Sequence, residues 1–138
     1  MISQKLFSKM RLPAMTRAFS SEAKQMSVSD AIRVMDKLAK NDDDVQNADL
    51  INDYFKVNFM KIDYNEARKL LEKASDAYAL EDKFWVWETI EEAVRPKLYD
   101  VPFNEVVEIY ENMAKLEKGS DLFKNDCLDM YLKNTKIF

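Results

Sequence analysis

The chain has no histidine, one cysteine, one glycine and three prolines in 138 residues. Each shortage excludes something. Without histidine, the usual general base near neutral pH and the commonest metal ligand are missing. A single cysteine, Cys127, allows neither an intramolecular disulfide nor a cysteine-based zinc site. One glycine cannot build a Gly-rich phosphate loop. Glycine and proline also punctuate strands and tight turns, so their scarcity predicts long helices with short polar connections. No apolar run approaches the roughly 18 residues of a membrane span. The densest apolar cluster is the tetrapeptide Phe84-Trp85-Val86-Trp87.

What is present is unevenly distributed. Lys5, Lys9, Arg11, Arg17 and Lys24 fall within residues 1–25, against one acid, Glu22. Ile2, Leu6, Phe7 and Met10 interleave with these cations. A basic, acid-poor, amphipathic start is the pattern of a mitochondrial transit peptide. Arg17-Ala18-Phe19-Ser20 fits processing after Phe19. Residues 1–25 are therefore expected to be a leader and 26–138 the working domain. Losing the leader takes Lys plus Arg from 21 to 16 and Asp plus Glu from 25 to 24, a net charge of −8. Phosphate backbones repel such a domain, so nucleic acid is not an expected partner. The same charge suits docking on basic protein surfaces.

Apolar spacing of three and four predicts six helices, over about 28–40, 45–59, 65–79, 82–95, 103–116 and 121–133. Ser29 or Asp30, Asn65, and Ser120 or Asp121 are the expected caps. Pro96 breaks the fourth helix, and Gly119 offers a left-handed stop after the fifth. The helix openings resemble one another. Ala31, Ala67 and Val106 stand in equivalent places, 36 and 39 residues apart. Val34, Leu70 and Ile109 match in the same register, as do Met35, Leu71 and Tyr110, and Leu38, Ala74 and Met113. Each second helix opens its apolar cluster about 17 residues on, at Ala48, Phe84 and Phe123. The chain therefore reads as all-α, three stacked antiparallel hairpins of the lengths found in helical-repeat solenoids.

Candidate chemistry reads as structure. In NDDDVQNADLIND, Asp42, Asp44 and Gln46 could open a calcium loop. Asn47 then sits where the sharp turn needs glycine, and Asp53 where a bidentate glutamate belongs. A solvated acidic turn with a helix cap is the better reading. Glu91-Glu92 lies beside cations on a helix, where a solvated face is far commoner than acid–base work. Cys127 reads as a small buried apolar residue. Phe84, Trp87, Ile90 and Val94 share a core face. Trp85 points away with Thr89 and Glu92, either onto an adjacent hairpin or toward a partner.

Tyr54-Phe55, Ile62-Asp63, Glu66 and Arg68-Lys69 resemble cytochrome c oxidase subunit Va, a matrix-side helical family. Arg95, Leu98 and Asp100, then Phe103, Val107, Ile109 and Glu111, and finally Gly119 with Leu122-Phe123, continue the resemblance over about 45–132. It implies a short right-handed superhelix of hairpins, tetratricopeptide-like, peripheral to the mitochondrial inner membrane on its matrix side. It implies no catalytic, cofactor or metal residue, no haem, copper or proton path, and a role in assembly and stability of respiratory complex IV. The expected partners are other subunits of that complex. The expected interface residues are Trp85, Tyr99, Tyr54, Phe55, Arg68 and Arg95. Another inner-membrane host, ATP synthase or complex I, is the nearest alternative. An organellar RNA-binding repeat protein and a small matrix enzyme are more distant ones.

Overall fold

The computed structural model describes residues 22–135, and within them every regular element is helical. After a helical turn at 22–25 come α1 (Val28–Lys40), α2 (Val45–Val57), α3 (Tyr64–Ala74), α4 (Phe84–Val94), α5 (Phe103–Lys115) and α6 (Asp121–Thr135). Two single 3₁₀ turns, Tyr78–Leu80 and Arg95–Lys97, flank α4. Residues 1–21 of the basic segment, with the processing site expected after Phe19, lie outside the described residues. The boundary expected after residue 25 falls just past Ala23, which is fully buried in the core.

Local chemistry sets the helix ends. Ser27 caps α1 and Asp63 caps α3. Each accepts from the N–H three residues on, while Asp30 and Glu66 accept back from the cap N–H. Each box satisfies two orphan donors. Both caps lie two residues before the expected Ser29 and Asn65. Asp44 caps α2, accepting from the Asn47 N–H at 3.1 Å and from its Nδ2 at 2.6 Å, so the acidic stretch serves as a helix start. Pro96 sits in the 3₁₀ turn that ends α4.

The stop after α5 differs from expectation. Glu117, at φ +59°, takes the left-handed position. Its N–H donates to Ala114 O at 3.0 Å, and the Lys118 N–H to Met113 O at 2.8 Å, the pairing of a Schellman end. Gly119, at φ +110°, supplies the next bend.

Consecutive helices pair as hairpins: α1 with α2, α3 with α4, α5 with α6. Alternate helices also lie together, α1 on α3, α3 on α5 and α2 on α4. Polar links between alternate helices recur at separations of 33 to 41 residues, close to the 36 and 39 read from the sequence. They include Tyr64 with Glu105, Arg68 with Glu108, Lys83 with Asp49, and Thr89 with the Phe55 carbonyl.

The second helices register differently from expectation. Trp87, Ile90 and Val94 are buried, each 39 residues after the buried Ala48, Ile51 and Phe55. Phe84 therefore corresponds to Val45 rather than Ala48, and both open their helices and are exposed, at 62% and 64%. Three residues are nearly one turn, so a match slipped by three stays on the same face. The extra length lies in the connector 75–83. Thr89, expected on the outer side, is buried because α4 is packed between α2 and α3.

Candidate docking surface

Most hydrophobic faces in the stack are covered; α6 is the exception. Phe123, Cys127 and Met130 follow a four-and-three spacing and bury one side against the core. Leu128 and Tyr131, one residue further on, stand about 100° around the helix. Together with Leu132 they are each about half exposed. Between α5 and α6, Leu128 and Tyr131 border a groove of about 620 Å³. Phe103, Val107 and Tyr110 line it from α5, Leu128 and Tyr131 from α6. The Phe103 and Tyr131 rings meet with centroids 6.5 Å apart. Exposed apolar area of this kind, gathered in one concavity, marks a binding surface more often than scattered surface leucines do.

Glu111 on α5 and Lys124 on α6 are the charged members of this lining, and neither is ion-paired among the described residues. Cys127 reaches the lining from below. Burial pushes its thiol up to about 12, and the negative charges of Asp126 and Glu91 add to this. It is held as a neutral thiol at neutral pH, a packing residue rather than a nucleophile. The groove can therefore bind an apolar body and orient it by two charges.

The six residues expected at an interface are not brought together. Tyr54 and Phe55 are 2% and 0% exposed, buried by the same spacing that buries Ala48 and Ile51, so they offer a partner no surface. Burial raises the Tyr54 phenol to about 12. Arg68 closes the α3–α5 seam, 3.1 Å from Glu105 and 2.5 Å from Glu108, with its guanidinium over the Tyr64 ring. Arg95 pairs with Glu91 and Glu92 at the end of α4, at 3.5 and 3.8 Å. Trp85 is half-buried, edge-on to Phe59 and Phe84 with centroids 5.5 and 5.0 Å away.

Tyr99 leans on α6. Its hydroxyl shares one proton between Asp129 at 2.9 Å and Asp126 at 3.0 Å, and Lys133 sits 4.7 Å from the ring centre. The Asp129 hydrogen bond, with partial desolvation, raises its pKa. Of the six, Trp85 and Tyr99 keep some exposed ring, on different parts of the surface.

Glu91 has a structural use. Its Oε1 accepts from the Ser120 N–H at 2.8 Å and its Oε2 from the Ser120 hydroxyl, holding the start of α6 from α4. Ser120 Oγ in turn accepts from the Phe123 N–H at 3.2 Å. The groove-lining residues Val107, Tyr110, Leu128 and Tyr131 were not among the expected interface residues. For Leu128 and Tyr131 the signal is in α6 itself, whose apolar residues occupy more than the one stripe a hairpin needs. Among the described residues no helix is long and apolar enough to cross a membrane, and no group of His, Cys, Asp and Glu is placed to hold a metal ion. No protein-family model matches the chain, and no curated protein or solved structure compared with it matches either.

Proposed function

We propose that the chain is a non-catalytic accessory subunit that docks on the matrix side of a respiratory complex through the open face of its third hairpin. Cytochrome c oxidase is the host that the resemblance to subunit Va favours, with assembly and stability of that complex as the role. One observation carries the docking reading: an apolar groove stays open at α5–α6, where Tyr110 is 44% exposed while its equivalents Met35 and Leu71 in the earlier hairpins are buried. The leader-like first 25 residues support import, and the net charge of −8 after its loss supports docking on basic surfaces. The Trp85 and Tyr99 rings add area at the margins of a large contact.

The test is mild detergent solubilisation of mitochondria, native gel separation and mass spectrometry of the band holding this protein. Co-migration with haem absorbance and oxidase activity is the expected result. Migration with ATP synthase or complex I would move the subunit to that host. A free small protein would sink the subunit reading.

A further inference from the structure

Tyr110 stands where Met35 and Leu71 stand in the two earlier hairpins. Met35 and Leu71 are fully buried, whereas Tyr110 is 44% exposed. The three positions share a helix face and a register, but not a covering neighbour. α1 has α3 against it, α3 has α5 against it, and α5 has no such later helix among the described residues. What the fold lays over this face, twice, is a helix.

Ion pairs also cross these seams, at places that differ from one hairpin to the next. Asp36 on α1 holds Lys73 of α3 at 3.2 Å, and Asp76, just past the end of α3, holds Lys115 of α5 at 3.3 Å. In both pairs the acid is on the earlier element and the lysine on the later one, while Arg68 of α3 with Glu105 and Glu108 of α5 runs the other way. Glu111 occupies on α5 the place of Asp36 on α1 and Glu72 on α3; all three are exposed, Asp36 alone of them is ion-paired among the described residues, and Glu111 borders the groove. We propose that the α5–α6 groove receives an amphipathic helix of a partner subunit, its apolar stripe on Val107, Tyr110, Leu128 and Tyr131 and a lysine or arginine facing Glu111. This rests on the docking reading above and names what docks there. Recognition is then by helix-in-groove packing, with residues at three-and-four spacing as anchors and one ion pair fixing the register.

The experiment uses the full chain in its native complex. The protein is synthesised with photoreactive benzoylphenylalanine replacing Leu128, which is exposed, and imported into isolated mitochondria. The complex is resolved on a native gel and irradiated, and the crosslinked peptide is mapped by mass spectrometry. The crosslink is expected on a helical segment of a partner subunit, with apolar residues at three-and-four spacing and a Lys or Arg within about one turn.

Glu111→Lys, at an exposed position, is expected to lower the crosslink yield about tenfold. Tyr78→Ala, at an exposed residue in the turn between α3 and α4, is expected to leave it unchanged. A complexed protein that gives no crosslink at 128 overturns the inference while leaving the subunit reading intact. So does a crosslink to a second copy of this chain or to a non-helical segment, or a yield indifferent to Glu111→Lys. A protein that migrates free of any complex sinks the docking reading itself, and the inference with it.

Discussion

The hydroxyl of Thr89 donates to the backbone oxygen of Phe55 at 2.9 Å, tying the middle of α4 to the last turn of α2. The last four carbonyls of a helix lack intrahelical partners. Here Tyr54 O accepts from the Asn58 N–H and Nδ2, Lys56 O from the Phe59 N–H, and Phe55 O from a side chain of the next hairpin. Thr89 is 1% exposed, so no water replaces it cheaply.

Thr89→Val keeps the shape and removes the donor, leaving a buried carbonyl without a partner. It should destabilise the fold by about 1–3 kcal/mol, read as a lower urea midpoint with an unchanged slope. Thr89→Ser, which restores the hydroxyl, should recover part of the loss. A variant as stable as the parent would show that the bond contributes nothing net.

Two neighbouring substitutions should act with opposite signs. Glu117 holds a left-handed backbone that costs a non-glycine residue about 1 kcal/mol or more. Glu117→Gly should relieve this and, after glycine's greater entropy in the unfolded chain, stabilise by a few tenths to about 1 kcal/mol. Gly119→Ala should destabilise, because φ there is +110° and a Cβ would lie 2.8 Å from Cδ2 of the fully buried Phe123. Thermal melts of both variants beside the parent check the pair; equal shifts of one sign would contradict the assigned roles.

Alkaline pH should unfold the protein progressively. Tyr54 and Tyr64 are raised to about 12, chiefly by burial, with the Glu105 hydrogen bond adding at Tyr64. Cys127 is raised to about 12 and Tyr99 is also raised. In each case the fold favours the protonated form. The contribution is therefore fully present below the unfolded values, about 9 for the thiol and 10 for the phenols, and is lost as pH rises through them toward 12. Urea midpoints measured from about pH 8 to pH 11 should fall, and the fall should be shallower in Tyr54→Phe. A flat profile would contradict the burial of these groups.

The sequence made the helices legible because their apolar spacing is strong, and it made the hairpin period legible through Ala31, Ala67 and Val106. Phase was harder to read. The α1 and α3 caps fell two residues from expectation and the α2–α4 register slipped by three. Periodicity reports which side of a helix is buried, while a step near one turn leaves that side unchanged. Capping depends on which of several Ser, Asp and Asn residues meets its third neighbour, as Asp63 does Glu66. Side-chain exposure was the least legible. Tyr54 and Phe55 look like anchors in isolation, but their place in the α2 spacing buries them. Arg68 and Arg95 look free until the acids of α5 and of α4 itself close on them. Tyr110 carries no mark that separates it from Leu71; only the absence of a covering neighbour does.

The carboxylate of Glu91 sits two helices earlier in the chain than the helix whose start it holds. Besides this clasp, the Tyr99 connector and Lys118, which meets Glu81 and the Trp87 ring, the third hairpin is anchored on α3 through α5. A nascent chain emerges from its amino end, so the second hairpin is built before the third is available. Glu91 then acts as a template for the first turn of α6, and maturation runs in one direction along the stack. In the finished molecule the same arrangement sets the order of loss. Amide protons of α5 and α6 should exchange sooner than those of α2, α3 and α4, fraying toward the middle from the carboxyl side.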